Sequence, residues 1–450
     1  GLSSFTATFF LRPIAPSLLY PYKSIILNLP AEVKLALRRY TFIMSATPDN
    51  NVSKPSRQLI NAFRTDMFGR TKVSEAYTLF DSSHRYQASE DFSYETNNGG
   101  TVTFNENESS VLHNVTADAG SEVTAETFRV FPYQPGKSLQ VLQTFVFAPP
   151  KANLRQRAGY FSRENGFYLE QDGADVYLVK RTKVSGSIEE VRVPQSEWNI
   201  DRLDGSGPSD RVLDLTKIQI LFSEYEWLGA GSVRLGFVLD GYFVIVHQFN
   251  HANYIDTTYI TSATLPVRYE ITNTGDTDSS STQKQVCTTV ISNGGYFKPV
   301  ELYNAVRASA TVGTSFYPLI SIRLAEGRTD SVVIPDGIDL APSTGDDWEW
   351  ALVKNATVTG GTWVTSAPNN NVEYNISATG MTGGRAVIDN FFSSTNQTLP
   401  AITVTETRNW SLQLGRTNSD TPVSDVYTLA ARVLNGTGVI KSGMAWHDLK

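Results

Sequence analysis

A single cysteine, Cys287, stands in 450 residues. It excludes an internal disulfide framework and any zinc or iron–sulfur site built on several thiolates. Charge is scarce too: 18% of residues are charged, and Lys+Arg 38 against Asp+Glu 45 leaves a formal −7. That acidic balance argues against a nucleic-acid binder, which needs a basic footprint. No uninterrupted apolar run is long enough to cross a bilayer, so no membrane span is expected. With five histidines and no strong catalytic or cofactor motif, the expectation is a non-enzymatic protein without cofactors. What is present is 32 Gly, 20 Pro and 40% hydrophobic residues, beside much Ser, Thr and Asn. This is the composition of a turn-rich β protein.

The first residues differ from the rest. Residues 1–43 carry Arg12, Lys23, Lys34, Arg38 and Arg39 against the single acid Glu32, and their apolar run is broken by Pro13, Pro16, Pro21 and Pro30. Prolines remove backbone donors and interrupt a helix, and the segment lacks the basic start and unbroken apolar core of a signal peptide. The expectation is that Met44 is the native start and that residues 1–43 are upstream read-through, with an atypical signal segment as the rival. Without them the formal charge falls from −7 to −11. Residues 44–75 read as an N-terminal arm, with Leu59, Ile60 and Phe63 at helical spacing.

Beyond Val73 the period becomes that of strands. Alternation marks Phe128–Tyr133, Leu139–Phe147, Val176–Thr182, Glu190–Val193, Ile218–Phe222, Ser232–Leu239 and Tyr242–Phe249. Asp240-Gly241 joins the last two as a two-residue hairpin turn, since both tolerate the positive φ of a type I′ turn. Asn293-Gly294-Gly295 is the sharpest punctuation and sets a boundary near 295. After it, Ser321–Leu324, Trp348–Val353, Val372–Ile376, Asn409–Leu414, Val426–Val433 and Gly443–Leu449 alternate again. The predicted fold is mainly β: two antiparallel β-sandwich or jelly-roll-like domains, 76–295 and 296–450, behind the short arm. The layout of the first, around Trp198–Asn253, is similar to concanavalin-like jelly rolls.

Four constellations bear on chemistry. His247 and His251 stand four apart, which on one strand puts them on one face as weak metal-ligand candidates; the alternative is hydrogen bonding within the sheet. Asp201 and Asp204 open a Gly-rich segment that resembles a calcium loop but has Val212 where a bidentate Glu is required. A turn with Asx caps explains it as well. Glu224 and Glu226, with Glu197 nearby, lie beside Trp198 and Trp227, as paired acids do in a glycosidase; no convergence on a cleft is legible, and no catalytic residue is assigned. Trp348, Trp350 and Trp363 neighbour Asn, Asp or Gly and are candidate sugar-stacking aromatics, with core packing as the other reading.

Several strings carry a family resemblance. Asp66-Met-Phe-Gly-Arg-Thr-Lys-Val-Ser-Glu, Tyr133-Gln-Pro-Gly-Lys-Ser-Leu and Arg155-Gln-Arg-Ala-Gly-Tyr-Phe are among them, as are Val193-Pro-Gln-Ser-Glu-Trp-Asn-Ile-Asp and Leu203-Asp-Gly-Ser-Gly-Pro-Ser. Glu226-Trp-Leu-Gly-Ala-Gly-Ser-Val-Arg and Phe249-Asn-His-Ala-Asn complete the set. From about residue 50 to 296, and more faintly to the C-terminus, the chain resembles a family of virion structural proteins of marine and cyanobacterial tailed phages and their environmental relatives. The resemblance implies a non-enzymatic fibre, tail, baseplate or capsid-decorating component located on the virion. A homo-oligomer in contact with other virion proteins is the leading expectation, since low charge density permits close subunit packing, and attachment to a host-surface glycan is compatible with it. The alternatives are a carbohydrate-binding, lectin-like module and a glycan-degrading enzyme.

Overall fold

The computed structural model describes residues 66–67, 69–70, 76–295, 301–344, 347–365, 370–394, 402–403, 410–417 and 421–449. The expectations for 1–43 and for most of the arm at 44–75 lie outside these residues. Among the described residues every long element is a strand. The first lobe contains β1 (Ala76–Ser83), β2 (Phe92–Asn97), β3 (Thr101–Asn105), β4 (Ser110–Val115), β5 (Glu122–Thr127) and β6 (Ser138–Val146). It continues with β7 (Leu154–Phe161), β8 (Gly166–Asp172), β9 (Asp175–Thr182), β10 (Glu189–Pro194) and β11 (Gln219–Tyr225). It closes with β12 (Val233–Leu239), β13 (Tyr242–Phe249), β14 (Val267–Asn273) and β15 (Ser281–Asn293).

These strands form two antiparallel sheets. One runs β13-β12-β11-β6-β15-β4-β3, with β1 also on β15; the other runs β10-β9-β8-β7-β14-β5-β2. The alternation in β6 shows why they stack: Leu139, Val141 and Phe145 point inward, and Gln140, Leu142 and Thr144 point away. Facing them across the core are Ala158, Tyr160, Leu169, Leu178, Val267 and Tyr269 of the second sheet. The Asp240-Gly241 turn has φ of 51° and 81°, as the type I′ reading requires.

The second lobe holds β16 (Glu301–Val312), β17 (Tyr317–Leu324), β18 (Val332–Pro342), β19 (Asp347–Lys354), β20 (Thr357–Thr359) and β21 (Val364–Thr365). After them come β22 (Val372–Asn375), β23 (Gly380–Thr382), β24 (Arg385–Ser393), β25 (Ile402–Thr403), β26 (Val426–Val433) and β27 (Gly438–Leu449). A four-stranded sheet, β16-β27-β18-β25, packs on a six-stranded one, β21-β22-β17-β26-β19-β24, and β20 pairs with β23. Their shared core is built on Trp348, Trp350, Trp446, Tyr427 and Leu429. Among the described residues, no sheet mixes strands from the two sides of residues 296–300. Even so, Val332 and Ile334 of β18 join the first lobe's core, and Pro55–Lys450 is one compact unit.

Two expected strands take other forms. Phe128–Tyr133 makes a single bridge, Phe131 to Leu265, because Pro132 has no N–H to continue a ladder. In the Asn409–Leu414 segment, Trp410–Leu412 is a 3₁₀ turn.

Candidate functional site

The face of the seven-stranded sheet turned away from the core carries charges at alternate positions. Register sets Arg157 of β7 opposite both Glu170 of β8 and Glu270 of β14, and Arg268 of β14 opposite Glu126 of β5. The side chains close into one chain of alternating sign. Arg192 donates to Asp172 and Glu170, and Arg157 donates to Glu170 at 2.6 Å and to Glu270 at 3.1 Å. Arg268 bonds Glu270 and Glu126, and Arg416 of the second lobe bonds the other Glu126 oxygen. Glu126, Glu170, Arg157, Arg268 and Glu270 are all buried. Burial opposes ionisation of Glu270, but the Arg268 and Arg157 guanidiniums outweigh it and hold its carboxyl well below the usual range. Burial likewise opposes charge on Arg268, and Glu270 and Glu126 overcome it.

Where this chain of charges reaches Arg416, a cleft opens between the lobes. The cavity of about 400 Å³ has Glu126 and Arg416 in its wall. The first lobe contributes Ser162–Asn165, the turn between β7 and β8, and the segment from Thr261 to Pro266 before β14; the second contributes Gly327, Thr329, Asp330 and Pro422. Asn165 clamps the two first-lobe segments together: its amide donates to Thr261 Oγ1 at 2.7 Å, and its carbonyl accepts the Thr261 N–H at 3.0 Å. Ser162 Oγ accepts the N–H groups of Glu164 and Asn165, which fixes the turn. Arg163 is tied to Glu95, and Glu164 to Lys183. Gly327, Thr329 and Pro422 also wall an adjoining cavity of about 460 Å³ that runs along Arg323 and Glu373.

The cleft therefore presents hydroxyls (Ser162, Thr261, Ser262, Thr264, Thr329) and charges that are mostly paired, while the Asn165 amide is engaged within the wall. Its acids and bases nearly balance, so it offers no strong net field. Such a surface suits a neutral polyhydroxylated ligand better than a phosphate or a cation.

The residues singled out in the sequence lie mostly elsewhere. Trp348 and Trp350 are 0% and 1% exposed, which corrects their reading as sugar-stacking residues. Both sit on β19, an interior strand between β24 and β26, and two residues apart on one face they turn together into the core. Trp348 lies against Phe392 at 6.1 Å. Trp363 is half-buried, with the Arg323 guanidinium over its ring at 4.2 Å. It meets the second cavity through that arginine.

His247 and His251 do not share a strand face, because β13 ends at Phe249. His247 Nδ1 accepts the Asn199 N–H at 3.3 Å. His251 Nδ1–H donates to the Gly231 carbonyl at 2.6 Å, and its ring stacks on Tyr259 at 4.0 Å. Burial lowers both pKa values to about 4. Asp201 accepts the N–H groups of Leu203 and Ser209, and Asp204 accepts the N–H and hydroxyl of Ser206. These carboxylates cap turns, which is the Asx reading. Among the described residues, no three His, Cys, Asp or Glu side chains are grouped to hold a metal.

Glu224 is buried and accepts the Ser138 hydroxyl at 3.1 Å, with Arg234 at 3.8 Å. Glu226 accepts the Ser232 N–H at 3.2 Å, and burial raises its pKa. Neither lines either cavity. Arg234 also donates to the Asp66 carbonyl, so the turn at Asp66–Arg70 is fastened next to this pair. Glu197 is exposed.

The sequence reading passed over Glu126, Arg163, Asn165, Asp330 and Arg416. The signal open to it was the spacing of charges two apart inside apolar strands, as in Arg268 and Glu270. Nothing local announces that loops from two lobes meet.

No protein-family model and no curated protein matches the sequence. Among solved structures the chain is similar to a Crh5 transglycosylase in complex with NAG (14% identity, 51% of this chain and 87% of that one, TM-score 0.34). It is also similar to a Bacillus licheniformis β-glucanase (9%, 48% and 98%, 0.31) and to the carbohydrate recognition domain of Emp47p (9%, 49% and 98%, 0.31). Superpositions this loose leave the reading of the site to the chain's own residues.

Proposed function

We propose that this protein binds a neutral glycan, without hydrolysing it, in the cleft between its two sandwiches. The observation that carries the reading is the wall of that cleft: hydroxyl groups from both lobes, over a floor where Glu126 is held by two guanidiniums. Sugar hydroxyls both donate and accept, so a wall of mixed donors and acceptors with little net charge matches them. Both Glu126 oxygens accept from arginines, so neither is free to engage a glycosidic oxygen. Glu226, the carboxyl with a raised pKa, lies away from the cleft. The virion setting and host attachment rest on the sequence resemblance of residues 50–296; a glycan-gripping cleft gives such a component something to attach with.

The test is a glycan array followed by calorimetry on the best ligand, with Thr329→Trp to fill the cavity. Affinity should fall at least about tenfold, ~1.4 kcal/mol. It should change little with added salt, because the ligand is neutral. A protein that binds no glycan, or a Thr329→Trp variant that binds as well as the parent, overturns the proposal.

A further inference from the structure

Among the described residues the four-stranded sheet ends on β16, and this edge is unusual. It is 12 residues long, and its pairing with β27 is unbroken from Glu301 to Arg307, before a bulge ahead of Ala310. An open edge offers a row of N–H and C=O groups to another strand, and proteins normally guard it with charge, proline or a very short strand. Here Leu302–Val306 holds neither charge nor proline. The nearby Arg307 is turned away, donating to the carbonyls of Pro318, Leu319 and Ala378.

The side chains add an apolar element. Leu302 is 58% and Val306 61% exposed, on the same face, with exposed Asn304 between them. Tyr303 and Ala305 face the core instead. The neighbouring strand opposes Asn304 with Ala445 and Val306 with Gly443, and Leu302 with His447, whose ring is held by Asp336; only small side chains stand beside Asn304 and Val306.

We propose that β16 is a self-association edge, on which a second copy of this chain pairs antiparallel about a two-fold axis through Asn304. The symmetry of the strand selects this occupant. With the axis at Asn304, Leu302 lies opposite the partner's Val306, and Val306 opposite the partner's Leu302. Both apolar pairs are satisfied at once by one isologous contact. Two four-stranded sheets become one continuous sheet across the dimer.

Sedimentation of the full chain should show a dimer at micromolar concentration. The double variant Leu302→Lys, Val306→Lys should be monomeric, because it sets like charges directly opposite one another. Its melting temperature as a monomer should be unchanged, since both positions are exposed. The register has its own test in a Cys287→Ser background. Directly opposed residues in an antiparallel pair lie about 4.5–5.5 Å apart between Cα atoms, within disulfide reach, so Asn304→Cys should cross-link to itself on oxidation. Ala308→Cys, eight residues from its own copy across the axis, should not. A monomeric parent, a double variant that stays dimeric, or an Asn304→Cys variant that fails to cross-link overturns the proposal.

Discussion

His113 of β4 is fully buried between two glutamines, with Nδ1 3.2 Å from Gln283 Oε1 and Nε2 3.2 Å from Gln285 Oε1. Gln283 is oriented by its own amide, which donates to the Arg157 carbonyl, so Nδ1–H is the donor to it. With its oxygen toward the ring, the Gln285 amide nitrogen has no hydrogen-bond partner among the described residues. Turning that amide over lets it donate to the Nε2 lone pair and satisfies both groups. This arrangement suits a neutral ring, and burial lowers the His113 pKa to about 4. The folded value lies below the unfolded 6.5, so the stability is fully present above pH 6.5 and is lost as pH falls toward 4. Between pH 7 and pH 5 the loss from this one ring is about 2 kcal/mol. Urea unfolding at both pH values should show it, and His113→Gln should shrink the difference by about that amount. An unchanged difference would mean that His113 is charged in the fold. His84, His247 and His251, lowered to about 4 by burial, act in the same direction, which is why the variant is compared with its parent. At this scale the sequence was legible where a residue has few conformational options. Asp240-Gly241 declares its turn by tolerance of positive φ. Trp348 and Trp350 declare only that they share a face, and whether that face is core or surface depends on strands far away in the chain.

Strands were easier to read than single side chains, because alternation is a property of the element itself. β6, β9, β12 and β13 fall within a residue or two of where their patterns put them. What alternation hides is the job of the outward positions. On β7, β8 and β14 they hold Arg157, Glu170, Arg268 and Glu270, which a sequence reading takes for a solvated face. The seven-stranded sheet instead stacks them in register and buries them. A buried ion pair adds little over well-packed apolar residues, yet removing one member leaves a charge stranded in low dielectric. Arg268→Met should therefore cost about 3–5 kcal/mol, because it strips Glu126 and Glu270 of a shared partner. The loss should be nearly independent of salt, unlike that of an exposed pair. Chemical denaturation at low and high ionic strength would check both. A cost below about 1 kcal/mol, the range of surface pairs, would show that this face is wet.

Across the whole molecule, the sequence divides the chain near residue 295, and among the described residues no sheet crosses that point. The two sandwiches nonetheless share apolar and polar contacts that no local pattern encodes. Val332 and Ile334 complete the first lobe's core. Gln413 donates to the Val130 carbonyl at 2.9 Å, the Arg416 N–H donates to Phe128, and the Arg416 side chain grips Glu126. These contacts link residues nearly 300 positions apart, and a one-dimensional reading has no period with which to find them. They also make the cleft, since its walls belong to different lobes and the Arg416–Glu126 bond lies at its floor. If that bond couples the lobes, the parent protein should unfold in one cooperative transition. Arg416→Ala leaves Glu126 to Arg268 alone and removes the second lobe's hold on the charged sheet. Calorimetry should then show a lower melting temperature and a transition that broadens or splits into two, as each sandwich begins to unfold on its own. Glycan affinity should fall in the same variant at temperatures where it remains folded, because the two walls lose their fixed spacing. A single sharp transition with unaltered affinity would place the coupling in the apolar contacts of Val332 and Ile334, and the cleft would then owe its width to the core.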